Sequence, residues 1–410
     1  MSSVRGNKKV PAIRFAGFGG DWEYDFLGSN AGFAKGQGYS KSDLVETGRP
    51  IILYGRLYTK YQTVISDIDT FVKEKENSLL STGCEVIVPA SGETPEDIAI
   101  ASAVLEKEVV LGGDLNIIYP NHKIKAIFLA LSLSNGKPKK EITKRAQGKS
   151  VVHVRNSDLS QVTIHFPKPK EQTKIGNYFQ QLDTLIAQHQ QKHEKLQNIK
   201  KALLEKCFPK QGEHTPELRF KGFSGAWEEK ALGDVCDYKN GKGHEDVQKN
   251  NGKYELINLN SISINGGLKH SGKFIDESDS TLNKNDLVMI LSDVAHGNLL
   301  GRTALIPSNN KYVLNQRVAL LRPIEKSIPL YIFYNINAYQ PYFKSQGAGM
   351  SQLNISRNSV ESFILKMPNI EEQTKIGNLF QQLDTLINQQ QTQLVKLKNM
   401  KQACLEKMFV

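Results

Sequence analysis

The stretch EQTKIGNYFQQLDTLI, from Glu171 to Ile186, returns as EQTKIGNLFQQLDTLI from Glu372 to Ile387, changed only at Tyr178 against Leu379. The chain is therefore duplicated, with an offset of 201 residues. The same offset pairs Leu196 with Leu397, Lys200 with Lys401, Ala202 with Ala403 and Phe208 with Phe409. A second repeat opens each copy: PAIRFAGFGGDWE, Pro11 to Glu23, is echoed by PELRFKGFSGAWE, Pro216 to Glu228, which places both tryptophans of the chain, Trp22 and Trp227, at equivalent positions. The period far exceeds the roughly 20 to 50 residues of a solenoid repeat, so each copy is a domain plus a connector. Two near-identical frames hold two divergent inserts.

The connectors read as helices. In the first, Ile175, Tyr178, Leu182, Leu185, Leu196, Ile199 and Leu203 follow spacings of three and four, and Ile376, Leu379, Leu383, Leu386, Leu397, Met400 and Cys404 repeat them. That pattern predicts a coiled-coil seam. Pro167, Pro169 and Pro368 precede the helices and Pro209 follows the first, marking their ends. At about 1.5 Å per residue each spans on the order of 55 Å. His189 and Lys192, with Gln390 and Gln393 in the second copy, put polar groups at mid-seam, a device that fixes register at some loss of stability. Two such helices related by a pseudo-twofold axis pack antiparallel, building a dimer's symmetry into one polypeptide.

At 410 residues the chain exceeds what one core usually serves. Its four cysteines, Cys84, Cys207, Cys236 and Cys404, form no CxxC pair, which argues against a zinc site and a disulfide framework. The N-terminal MSSVRGNKKVPAIRF has basic residues but no apolar run after them, and no segment approaches the roughly 18 apolar residues of a membrane span. A soluble, cytoplasmic protein without a membrane partner is expected. The formal charge of +11 suits a polyanion, because lysines and arginines that neutralise phosphates release condensed counterions. Simple solubility is the alternative; basic composition alone favours nucleic acid only modestly, and it is the duplication that strengthens that reading.

The inserts mix β-rich runs, such as Pro50 to Tyr54, Glu85 to Val88, Asp286 to Leu291 and Val318 to Leu321, with loops rich in Gly, Asn, Ser and Lys. Related steps recur: Lys35-Gly-Gln-Gly38 resembles Asn240-Gly-Lys-Gly243, and Gly148-Lys-Ser150 aligns with Gly349-Met-Ser351. Both inserts are expected to share a mixed α/β scaffold with different loops, where recognition usually resides. Base edges are read by arginine and lysine at guanine and by asparagine and glutamine at adenine. Candidates in the first insert are Lys35, Gln37, Tyr39, Lys41, Arg56, Tyr58 and Lys60. In the second they are Lys239, Asn240, Lys242, Asn258, Asn260, His296, Asn298, Asn315, Gln316, Arg317 and Gln352. For each one, a solvated or loop-structuring role is at least as frequent as a base contact.

Catalytic signatures fail on inspection. Phe15-Ala-Gly-Phe-Gly19 fits the FxGxG loop of some methyltransferases, yet its duplicate is Phe220-Lys-Gly-Phe-Ser224, and no (Asn/Asp/Ser)-Pro-Pro-(Phe/Tyr) follows. Gly148-Lys149-Ser150 ends like a P-loop, but Thr143 stands where the first glycine belongs. His189 and His193 lie one turn apart without an HExxH glutamate, and the second copy has Gln390 and Leu394. No catalytic and no metal residues are assigned.

These repeated elements carry a family resemblance: PxLRFxGFxGxWE before an insert, with Ile13 in place of the leucine in the first copy, EQxKIGxxFxxLDxLI after it, and a trailing helix ending LEKCF or LEKMF, all twice and in order. The chain resembles the specificity subunit of a type I restriction-modification system over essentially its whole length. The resemblance implies an α+β protein with two mixed α/β target-recognition domains, 1–166 and 214–367, separated by two long antiparallel helices forming a coiled coil, 167–213 and 368–410. It implies a non-catalytic subunit that binds double-stranded DNA, with two modification subunits docked on the helices and restriction subunits joining them. No cofactor is then bound by this chain, and S-adenosylmethionine, ATP and Mg belong to the partners. Carried onto this sequence, docking centres on Gln172, Lys174, Gln180, Gln181 and Asp183, with Gln373, Lys375, Gln381, Gln382 and Asp384 as counterparts. Two readings compete, a helical protein-assembly scaffold without DNA specificity and a stand-alone DNA-binding regulator.

Overall fold

The computed structural model describes residues 10–148, 150–294 and 296–409. Two compact units are present: one takes Met1–Gln190 with Thr392–Val410, the other Gln191–Gln391. Both long helices are 39 residues, Pro169–Cys207 and Ile370–Met408, and the unit boundaries divide each of them. The expected limits at 166/167, 213/214 and 367/368 therefore differ from the compact units, because the apolar faces of the helices belong to the cores of the globular domains.

The first unit has an antiparallel core of strands Ala31–Lys35, Leu115–Pro120, Glu85–Pro89 and Ser102–Val104, in that spatial order, with Val64–Ile65 added in parallel at the edge. The second has Cys236–Asn240, Val318–Pro323, Leu287–Ile290 and Thr303–Leu305, again antiparallel. In both, the first strand in the chain lies beside the last, then come the second and the third. The central strands Glu85–Pro89 and Leu287–Ile290 are buried along their whole length, which explains why they read as continuous apolar runs rather than alternating ones. A second sheet accompanies each, five strands in the first unit and three in the second. One short helix in each unit, Ala126–Leu133 or Pro329–Ala338, covers the core.

The repeated motifs meet inside each unit. Arg14 clamps Glu171 with two bonds of 2.6 and 2.7 Å, and Arg219 clamps Glu372 with two of 2.7 and 2.8 Å, while both carboxylates are buried. Such bidentate pairing satisfies charges that would be very unfavourable if buried alone. Trp22 and Trp227 are also buried, packing edge-on against Phe128 and Tyr331. The following residues pair with the end of the insert, Glu23–Phe26 against Thr163–Phe166 and Glu228–Ala231 against Ile364–Met367.

Each helix begins on its own domain. Gly176 and Gly377 lie inside helices, where glycine is unfavourable by about 1 kcal/mol. A Cβ on Gly176 would stand 3.2 Å from Ile127 Cγ2, and one on Gly377 only 2.8 Å from Leu330 Cβ, so the covering helix crowds the first position and comes too close for a side chain at the second. Ile175, Phe179 and Leu182, like Ile376, Phe380 and Leu383, are buried in these cores. The other helix supplies its C-terminal end: Phe409 packs on Phe128 and Phe179 in the first unit, and Phe208 stacks on Phe380 and meets Tyr331 in the second. Carbonyls near the helix ends, Lys407 O and Lys206 O, accept from Ile13 N and Leu218 N at 3.1 and 2.9 Å. Tyr178 pairs with Cys404 and Asp183 with Lys401, so the two helical segments run antiparallel in that unit. Asp384–Lys200 and Phe380–Phe208 show the same direction in the other.

The buried stripe departs from the predicted seam. Leu185 and Leu386 are 42% and 43% exposed, and Ile199 and Met400 are exposed too, while Phe179 and Phe380, outside that seam, are fully buried. Packing onto a globular domain as well as onto a second helix turns the apolar face away from a strict heptad. Among the described residues no helix is long and apolar enough to cross a membrane.

Candidate nucleic-acid interface

One end of the second unit's main sheet gathers the candidates of its insert. At that end Asn240 pairs with Ala319, and Ile290 with Val318. Lys242 follows the first of these strands and Asn315, Gln316 and Arg317 precede the second, with a bridge between Lys242 and Asn315. Leu291 N donates to Arg317 O at 2.9 Å, and Asn315 N to Ile257 O at 3.0 Å, which brings in Asn258 and Asn260. Ser292–Asp293 pairs with Leu353–Asn354, adding Gln352 and the loop that holds His296 and Asn298. All eleven candidates of this insert thus belong to one sheet end, from five separate places in the sequence.

The matching end of the first unit is built alike. Lys35 pairs with Asn116 and Pro89 with Leu115. Gly36 N donates to Leu115 O and Gln37 N to Leu111 O at 2.9 and 3.2 Å, while Gly112 N reaches Ile52 O, from which the chain runs into the short helix Arg56–Thr59. Tyr58 donates its hydroxyl to Ser91 O at 2.5 Å, and burial pushes that phenol's pKa upward, so it remains a neutral donor.

Several candidates are committed to the fold rather than open to a ligand. Tyr39 is buried; its hydroxyl bonds Ser78 and accepts from Lys75 N at 2.7 Å. Arg56 is held by Asp69 at 3.0 Å, by Gln62 at 2.9 Å and by the Asp67 carbonyl, and its side chain is 8% exposed. Lys60 bridges Asp67 and Asp69 at 2.8 and 3.2 Å, which draws both carboxylate pKa values down. Asn315 is buried beside His244, and Asn258 accepts from Asn260 N as a cap of a short turn. Partners also occupy Asn240 through Tyr238, Asn298 through Lys344, Gln316 through Glu245, Gln352 through Asn354 and Lys239 through Ser280. Lys35, Gln37, Lys41, Lys242, Asn260, His296 and Arg317 are exposed. Arg317 adopts φ +65°, a conformation unusual for a non-glycine residue.

The docking set divides similarly. Gln172 and Gln373 are not on the surface: both are buried, and their amides clasp backbone. Gln172 accepts from Lys125 N at 2.8 Å and donates to Lys123 O and Pro167 O at 2.8 and 2.7 Å; Gln373 accepts from Ile328 N at 3.1 Å and donates to Pro368 O at 2.8 Å. Asp183 and Asp384 are paired with Lys401 and Lys200, each at 2.5 Å, and Asp384 also accepts from Tyr334 at 2.7 Å. Lys174 and Lys375 lie over the rings of Phe15 and Phe223 with their side chains exposed. Gln181, Gln381 and Gln382 are exposed and Gln180 is half-buried. Identity between the copies is in large part internal packing. Sequence reading missed Arg14 and Arg219 as its cause, although both stand in the opening repeat. It also passed over Met350 and Val294, which protrude at the second sheet end. Among the described residues no group of three or more His, Cys, Asp or Glu is placed to hold a metal.

Residues 20–198 and 225–398 each match the type I restriction modification DNA specificity domain. Two Methanocaldococcus jannaschii proteins are similar. The type I restriction enzyme MjaVIII specificity subunit is 23% identical over 45% of this chain and 42% of its own length. The putative MjaX specificity subunit is 25% identical over 67% of this chain and 65% of its own. The chain thus aligns with less than two thirds of the length of either relative. The fold is shared with the S subunit of a type I restriction-modification system from M. genitalium, at TM-score 0.63 and 16% identity over 98% of this chain and 99% of that one. A chain from a study of complex assembly and conformational transition in the type I R-M system gives TM-score 0.52 and 15% identity over 94% and 96%. With two domain matches that together cover most of its length, the chain belongs to the type I restriction-modification DNA specificity family.

Proposed function

We propose that this chain is the DNA-recognition subunit of a type I restriction-modification complex, each unit reading one half of an asymmetric bipartite site with the sheet end described above. The observation that carries this reading is the convergence of candidates from scattered loops on one sheet end, on strand orders that match while the exposed side chains differ. A common scaffold with different tips suits two different half-sites. Exposed Lys35, Lys41, Lys242 and Arg317 suit phosphate or guanine, and Gln37 and Asn260 suit adenine.

In this reading the paired helices act as a coiled-coil spacer that sets the unread sequence between half-sites, roughly one DNA turn or about 10 base pairs. Two modification subunits dock on the exposed helix positions Lys174, Gln181, Lys375, Gln381 and Gln382 together with half-buried Gln180, and restriction subunits join them. The chain itself performs no chemistry; S-adenosylmethionine, ATP and Mg act on the partners. Coexpression with a cognate modification subunit, followed by mapping of methylated adenines across a genome, tests the assignment. One bipartite motif is expected, and exchange of residues 23–166 for another insert changes one half of it. A change in both halves, or the absence of any motif, overturns the reading.

A further inference from the structure

The hairpin that carries Met350 is held more firmly than an exposed loop requires. Ala348 and Asn354 exchange backbone bonds of 3.0 and 2.9 Å, and the Asn354 amide oxygen accepts from Ser292 Oγ at 2.6 Å and Gln352 Nε2 at 2.8 Å. Gly349 takes φ +132°, and a Cβ there would stand 2.0 Å from Gln352 O, so the turn requires glycine. At its tip Met350 is 104% exposed. The neighbouring loop is pinned as well: the amide of buried Gln340 donates to Gly297 O, Asn298 O and Leu300 O at 3.3, 3.3 and 2.9 Å. Lys344 Nζ donates to Asn298 Oδ1 at 2.9 Å, and Val294 on this loop is 66% exposed.

An isolated exposed apolar side chain is common and by itself decides nothing. Position decides here. The tip stands at the sheet end that carries Lys242, His296, Arg317 and Gln352, where cations would draw in a duplex. The apolar group that base pairs display in the major groove is the 5-methyl of thymine. An unbranched, polarisable thioether fits such a target without demanding a single rotamer. The aligned residue of the first copy is Lys149, which lies outside the described residues.

We propose that Met350 is a specificity-determining residue that reads a thymine of the second unit's half-site through its 5-methyl group. The proposal rests on the DNA-recognition reading above. The full chain, assembled with its modification subunit, is titrated at fixed salt with duplexes carrying the mapped site, each thymine of that half-site replaced singly by deoxyuridine. At one position the loss of the methyl group is expected to weaken binding about fourfold. Met350→Gln, which keeps the length and removes the apolar character, should lose a similar factor on the thymine duplex and be indifferent to uridine at that position.

Equal affinity of Met350→Gln and the unsubstituted protein, or unchanged sensitivity of the variant to uridine, overturns the role of Met350 and leaves the DNA-recognition reading standing. Failure of the unsubstituted complex to prefer the mapped site overturns that reading itself. Weakened recruitment of the modification subunit by Met350→Gln, with DNA affinity intact, would assign the tip to protein contact and also defeat the proposal.

Discussion

The frame and the sheet ends of this protein follow opposite rules. In the frame, Arg14–Glu171 and Arg219–Glu372 are repeated with the same bidentate geometry, Gln172 and Gln373 clasp the same backbone turn, and Phe208 and Phe409 enter equivalent cores. At the sheet ends the strand order is kept, yet the exposed groups change from Lys35, Gln37 and Lys41 to Lys242, Asn260, His296, Arg317 and Met350. Identity therefore tracks partners inside the unit. Divergence tracks solvent, where only an external partner constrains the side chain.

The largest effect expected from this contrast is on stability. Arg14→Met or Arg219→Met leaves a buried carboxylate without its partner and should destabilise its unit by about 3–5 kcal/mol. Urea unfolding followed by the fluorescence of Trp22 and Trp227 would measure it, and a loss below about 1 kcal/mol would show that the clamps are dispensable. The two helix glycines sharpen the comparison between copies. Gly377→Ala forces a contact on Leu330 Cβ and should lose about 1–3 kcal/mol despite better helix propensity. Gly176→Ala would place its Cβ 3.2 Å from the Ile127 Cγ2 methyl, a milder crowding than at Gly377, and the propensity gain of about 1 kcal/mol should nearly offset the strain.

Smaller effects follow for the partly exposed pairs. Lys401→Met and Lys200→Met should each lose less than about 1 kcal/mol, because solvent screens Asp183 and Asp384. At the sheet ends stability should barely move. Lys242→Ala and Arg317→Ala are expected within about 0.5 kcal/mol of the parent protein. Each should nevertheless reduce the salt dependence of DNA binding by about one unit of slope if it meets a phosphate. Equal slopes before and after substitution would remove that residue from the interface, and a large stability loss would break the rule that divergence tracks solvent.

Much of the architecture was legible in the residues. Long segments with spacings of three and four gave both helices within three residues of their observed starts, and the run Glu85 to Val88 gave a strand because both of its faces are buried. The seam was misjudged where one helix serves two neighbours: spacing reveals an apolar face but not which body covers it, so Leu185 looked buried and Phe179 was passed over. Among candidate readers, Arg56 could have been discounted from Asp67 and Asp69 nearby in the sequence. Nothing local foretold that Gln172 would reach Lys125 and Lys123.

By itself the sequence determined the duplication, the helical connectors, the family and the division into constant and variable parts, since each of these is a pattern along the chain. Tertiary structure alone decided that Arg14 meets Glu171, that Tyr39, Asn315 and the two clasping glutamines are taken up by the fold, and that five separated segments share one sheet end. The reason is physical: propensity and periodicity act through neighbours in the chain, whereas burial, charge pairing and exposure at a site depend on groups brought together from distant parts of the sequence, 36 residues apart for Tyr39 and Lys75 and 157 for Arg14 and Glu171.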